Sequence, residues 1–273
     1  MRTTTTWRDL LQPGDAKDFF SRAPLPPFNP AASAYSRENA WWLAELSRLV
    51  YRRDVEEESP PPQPTRSSFL AKAALCQRRF FASQLTDTQA MLVEGERPSA
   101  FAVLVFRGTE QRPKDFLADI EIGAKAMSTS GVQVHEGFSK AIDSVWDDIN
   151  GELATLRCPV FYTGHSLGAA LATLAASRRA PQAVYTFGSP LVGNQAFVTS
   201  LGSVPVYRVV DDSDAVTLVP PEVLGFRHVG VLQRLTEPPV ESALNPLVWL
   251  RRLAGPPKPF ADHAPINYVD RIG

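Results

Sequence analysis

Four histidines, one serine set between glycines and a run of aspartates are where this 273-residue chain could carry chemistry. The serine is Ser166 in "VFYTGHSLGAALATLAASRR", where an apolar strand-like run meets small residues and leucines at helical spacing. Gly164-His165-Ser166-Leu167-Gly168 fits a G-x-S-x-G elbow, in which the residues two before and two after the serine crowd together and need to be glycine. Such a turn holds the hydroxyl out as a nucleophile and sets the Leu167 N–H beside any oxyanion formed there. A structural turn with an inert serine is the competing reading. The strand before it and the small-residue helix after it weigh against that.

A serine hydroxyl needs a base to take its proton and a third group to hold the base. His165 cannot fold back onto Ser166, because strand neighbours point to opposite faces, and it is expected to pack beneath the elbow. His135, in "VQVHEGF", precedes the serine, against the order nucleophile, acid, base. His228, in "GFRHVGV", sits in an apparent strand and reads as a core or edge histidine. His263, in the late loop "PFADHAPINYV", is the preferred base. For the acid, Asp211, Asp212 and Asp214 compete in "VVDDSDAV". In "FAVLVFRGTE", Gly108 allows close backbone approach and Thr109 offers an N–H and a hydroxyl, although "RGT" alone also fits an ordinary turn.

These side chains must be positioned by strands and helices in alternation. Runs such as "FAVLVF" and "AVYTFG" lack polar alternation and indicate strands covered on both faces. The pattern predicts an α/β fold with a mostly parallel central sheet and antiparallel strands at its front edge. "SRENAWWLAELSRLVYRRD" reads as an amphipathic helix capped by Ser36, and "EEESPPPQP" as an exposed linker. "FRHVGVLQRL" reads as one last strand. Residues 1–35, rich in Pro and Thr, form an arm, and 36–273 form a single domain whose Pro-rich tail wraps the sheet.

Composition excludes other classes. With 28 basic and 29 acidic residues and no basic block, a nucleic-acid partner has no electrostatic basis. Cys76 and Cys158 make no metal motif and read as buried free thiols, and no metal or organic cofactor is called for. The start lacks a signal-like apolar core and no stretch is long enough for a membrane span, so the expectation is a soluble chain, cytoplasmic or exported by a non-classical route.

"GHSLGAALATLA" resembles the class 3, fungal-lipase-like family of the α/β-hydrolase superfamily. "VLVFRGTE", "VHEGF", "FGSPLVGN", "RVVDDSDAVTLVPP", "FRHVG" and "DHAPINY" follow the family's order over residues 40–270. The resemblance implies the α/β-hydrolase fold and a Ser166, Asp214, His263 triad, with Thr109 and Leu167 as oxyanion donors and His135 as a structural residue. Thr217 stands where the family usually has proline. The implied activity is carboxyl-ester hydrolysis of acylglycerols or similar esters through an acyl-enzyme. Phospholipase A1, acyl transfer or a non-catalytic scaffold are the alternatives. Residues 110–134 are expected to form either a lid that meets a lipid surface, with Phe116, Leu117, Ile120 and Ala124 on its apolar stripe, or a fixed surface helix. Phe187, Leu191, Val192, Val216 and Leu218 are candidates to line an acyl pocket.

Overall fold

Strand β3 (Ala102–Phe106) is buried along its whole length, and its alternate residues serve two separate cores. This is what a two-sided apolar run requires, since successive side chains point to opposite faces of the sheet. A computed structural model of the chain describes residues 5–95, 100–110, 115, 120, 126–129, 131–236 and 254–273. Its main sheet has seven strands. β1 (Leu75–Ser83), β2 (Thr88–Gly95) and β3 are antiparallel; β6 (Val160–His165), β7 (Ala183–Phe187), β9 (Val206–Asp211) and β11 (Val231–Leu235) continue in parallel, in the order β1-β2-β3-β6-β7-β9-β11. A second, four-stranded sheet joins β4 (Ala126–Thr129), β5 (Val132–His135), β8 (Gly193–Asn194) and β10 (Phe226–Arg227).

Helices cover both faces of the main sheet. Residues of the helices Glu136–Leu153 and Leu167–Arg178 join Leu104, Phe106, Tyr162 and Val184 in one core. The helices Arg37–Leu49 and Pro265–Ile272 join Val103, Val105, Phe161 and Tyr185 in the other.

Several elements differ from the sequence reading. The Arg37–Leu49 helix, capped by Ser36, is buried from Asn39 to Leu49 rather than on one stripe. Its outer side is covered by the N-terminal residues: Phe20 lies 6.2 Å from Trp41 and 5.4 Å from Trp42, and Trp42 Nε1 donates to the Pro26 carbonyl at 2.7 Å. The segment expected as an exposed linker is tied to the domain by Glu57, which pairs with the fully buried Arg66 at 2.6 Å and with Arg107 at 2.9 Å. "FRHVGVLQRL" is two strands in two sheets, because Gly230 adopts φ +85° against Val206 and turns the chain between them. At the end of the segment expected as a lid or surface helix, "AMST" pairs with "VQVH" as an antiparallel hairpin. Cys76 is exposed and Cys158 half-buried, both as free thiols, so the expectation of two buried thiols is corrected. Among the described residues no helix is long and apolar enough to cross a membrane.

Candidate active site

β6 sits between β3 and β7 and ends at the elbow. Ser166 has φ 59° and ψ −126°, a strained region for a residue with a Cβ that costs about 1–3 kcal/mol. The surroundings fix it there. Its N–H donates to the Phe187 carbonyl at 3.0 Å, and its carbonyl accepts the Ala169 N–H at 3.0 Å. A Cβ on Gly164 would collide with the Gly168 carbonyl, and one on Gly168 with the Phe106 carbonyl. The Ser166 side chain does not cap the helix that follows. Leu167 opens that helix, so its N–H has no intrahelical acceptor.

The β3 end meets the elbow through Gly108. A Cβ there would strike Tyr51 Oη and lie 2.6 Å from the His165 carbonyl and 3.3 Å from Ser166 Cβ. Half-buried Thr109, the residue that the resemblance implies as an oxyanion donor, follows directly. Arg107 anchors this loop through Glu57, Glu110 and Gln89.

Asp214 and His263, 49 residues apart, meet through His263 Nδ1 and Asp214 Oδ2 at 2.8 Å, both buried. An Nδ1–H that donates to the carboxylate leaves Nε2 with its lone pair free to accept a proton. Asp214 is otherwise fully engaged: Oδ1 accepts the Val216 N–H at 2.9 Å and Oδ2 the Tyr268 hydroxyl at 2.6 Å. Burial and the Asp214 charge hold the Tyr268 pKa well above its ordinary value, so the phenol keeps the proton it donates. Thr217, the departure from proline, gives its hydroxyl to the Asp214 carbonyl at 2.7 Å, a bond that proline could not make.

Among the described residues no hydrogen bond joins Ser166 to His263. His165 links the two. Its Nε2–H donates to the His263 carbonyl at 2.7 Å, the rings lie 4.4 Å apart, and Nδ1 is left to accept from the Tyr51 hydroxyl at 3.3 Å. Burial and the neighbouring His263 hold the His165 pKa well below the usual imidazole value, so the ring is neutral.

Other candidates lie elsewhere. His228 is between β10 and β11, bonded to the Thr217 backbone and pushed down to about 4 by burial and Arg208. Among the described residues no hydrogen bond joins it to the Asp214 carboxylate. His135 donates Nε2–H to the Ile120 carbonyl at 3.0 Å and stacks on Phe138 at 4.2 Å, tying the segment before β4 to the following helix. Asp211 is paired with Arg271 and Asp212 with Lys258, and among the described residues neither carboxylate is hydrogen-bonded to His263. Phe187, Leu191, Val192 and Val216 are buried core side chains, whereas Leu218 is 69% exposed. Of the proposed lid stripe, Ile120 is buried; Phe116, Leu117 and Ala124 lie outside the described residues.

Sequence reasoning missed Tyr51 and Gly188. Gly188 has φ +59°, and a Cβ there would lie 2.7 Å from Asp214 Oδ2 and 2.9 Å from His263 Nδ1. The signal available was a glycine ending an unbroken apolar strand, in "AVYTFGSP".

Residues 103–224 match the profile of the family described as Lipase (class 3). A lipase of Rhizopus niveus is 34% identical over 169 residues, covering 55% of this chain and 42% of the relative. Secreted mono- and diacylglycerol lipase 1 of Fusarium solani is 35% identical over 129 residues, covering 43% of this chain and 39% of the relative. The matched stretches thus span less than half the length of these relatives. The crystal structure of a lipase from Rhizopus microsporus var. chinensis superposes with a TM-score of 0.63 at 26% identity, over 80% of this chain and 81% of that one. The fold is that of the α/β-hydrolases. The cytoplasmic or non-classically exported expectation is corrected by the relatives: the Fusarium protein is secreted, and such relatives point to export rather than to the cytoplasm. Sequence profile, fungal relatives and shared architecture agree, and what the chain resembles, over residues 103–224 in particular, is the class 3 lipase family.

Proposed function

We propose that the protein is a serine carboxyl-ester hydrolase acting on acylglycerols or similar fatty-acyl esters. The observation that carries this reading is the buried His263 Nδ1 to Asp214 Oδ2 hydrogen bond at 2.8 Å, packed against the elbow that holds Ser166. Asp214 fixes the His263 tautomer and stabilises the imidazolium as it forms. His263 Nε2 takes the Ser166 proton, and the alkoxide attacks the ester carbonyl. The Leu167 N–H and Thr109 hold the oxyanion, each donor contributing on the order of 100- to 1,000-fold in rate. The imidazolium then protonates the departing alcohol. A water deprotonated by the same histidine cleaves the acyl-enzyme and regenerates Ser166.

The test is hydrolysis of p-nitrophenyl esters of graded chain length by the wild type and Ser166→Ala. The expected loss is on the order of a millionfold in kcat. Activity that survives the substitution refutes the mechanism. His263→Ala should match Ser166→Ala while His228→Ala keeps activity; the reverse result overturns the assignment of the base. An emulsified triglyceride added to the same series reads lipase against esterase, and release of fatty acid from a phospholipid reads phospholipase A1.

A further inference from the structure

The proposed chemistry uses one carboxylate of the several that lie where the Asp214 and His263 segments meet. Asp262, which immediately precedes His263, is 1% exposed. Its Oδ2 accepts the backbone N–H of Ser213, the residue immediately before Asp214, at 3.2 Å. Lys258 Nζ donates to the same oxygen at 2.8 Å and Arg271 Nη1 to Oδ1 at 3.1 Å. Each cation then reaches the acid segment: Arg271 pairs with Asp211 at the end of β9, and Lys258 with Asp212 at 2.7 Å. One buried carboxylate thus bridges the residue before the acid to the residue before the base.

We propose that Asp262, clamped by Arg271 and Lys258, is a positioning residue that sets the distance between Asp214 and His263. The proposal rests on the reading of Ser166, Asp214 and His263 as one catalytic unit. Local backbone bonds hold each segment separately, Asp214 N–H to the Asp211 carbonyl at 2.8 Å and His263 N–H to the Phe260 carbonyl at 3.1 Å. Neither of these bonds fixes one segment against the other. A hydrogen bond from a backbone N–H to an ionised carboxylate is about twice as strong as a neutral one. Two cations offset the desolvation of burying that carboxylate. Arg271 adds a second tie through Asp211, whose other oxygen, Oδ2, is buried without a partner. Asp211 is thus held through its Oδ1 by Arg271 alone among the described side chains.

Wild type, Asp262→Ala, Asp262→Asn and Arg271→Gln are to be compared, with Ser166→Ala as reference. The measurements are kcat and KM on a soluble p-nitrophenyl ester, thermal melting, and the low-field proton resonance of an imidazole N–H shared with a carboxylate. Asp262→Ala should lower kcat about 10- to 100-fold with KM little changed, the scale expected of a misplacement near 1 Å. The low-field resonance should broaden or vanish. Asp262→Asn keeps a carbonyl for the Ser213 N–H and should recover part of kcat, with Arg271→Gln between the two. If Asp262→Ala does not fold, Arg271→Gln carries the test alone. Wild-type kcat and resonance in a folded variant, even one with a lowered melting temperature, would overturn the proposal. Wild-type activity that survives Ser166→Ala would instead sink the catalytic reading, while the resonance still tests the brace.

Discussion

The elbow and the acid–base side of the site are held by different forces. Around Ser166 the fixing contacts are backbone on backbone: Gly164 against the Gly168 carbonyl, Gly168 against the Phe106 carbonyl, and the Ser166 N–H on the Phe187 carbonyl. β6 lies fourth of seven in the sheet, so neither flank can yield without moving a paired strand. Asp214 and His263 lie on segments beyond the strands. They are oriented by side chains, with Tyr268 and His165 as direct contacts and Asp262 with its cations behind them. Steric fixing is stiff and insensitive to charge, whereas polar fixing depends on protonation and on every partner being present. Damage to the first region should therefore appear as lost stability, and damage to the second as lost rate.

The largest expected effect is on the polar side. Asp214→Asn removes the charge that orients His263 and should lower kcat about ten-thousandfold on a short soluble ester. A loss below tenfold would mean that the polar side does not organise the base. Next comes a matched pair of glycine substitutions. A methyl on Gly188 would lie 2.7 Å from Asp214 Oδ2, and the left-handed φ adds about 1–2 kcal/mol of strain. Gly188→Ala should lower kcat about 100-fold. By contrast, a methyl on Gly164 meets backbone that cannot swing aside, including Ala169 N at 2.8 Å. Gly164→Ala should destabilise by about 1–3 kcal/mol or more, read as a lower melting temperature. If Gly164→Ala melted like the wild type, the steric account of the elbow would fail.

The smallest effect concerns pH. Burial pushes Asp211 up to about 7, against the opposing pull of Arg271, from an ordinary value of 3.8. Between those values the folded chain keeps a proton that the unfolded chain has released. The associated stability is full below the lower value and is lost as pH rises through the upper one. Asp211→Asn cannot ionise, so it should melt a few degrees above the wild type in the neutral range and lose that advantage near pH 4, since 1 kcal/mol corresponds to about 2–4 °C at this size. Parallel melting curves at all pH values would remove Asp211 from the titrating groups of the polar side.

Legibility follows the same division. The elbow could be read directly because its determinants are local: two glycines four residues apart, a strand before them and alanines after them. The buried strands were legible for a similar reason, their apolar runs needing cover on both faces. The N-terminal arm was legible only in outline. Its prolines suggested an extended segment lying on the domain or partly disordered, and the contacts it makes were not legible: Phe28 stacks on Phe101 at 4.1 Å and Phe19 and Phe20 are buried in the core. Nothing in the composition of that segment says which helix it will cover.

By itself, the sequence determined that a serine would stand on a strained turn between a central strand and a closely packed helix, with three aspartates and a late histidine following in order. Only the tertiary structure decided which aspartate meets which histidine. It set Asp214 on His263, left His228 on the Thr217 backbone, and brought Gly188, Tyr268 and Asp262 around the pair. The physical reason is separation along the chain. Steric constraints between residues two to four apart are written in local composition, whereas a hydrogen bond across 49 residues exists only once the sheet and its helices have fixed where both ends lie.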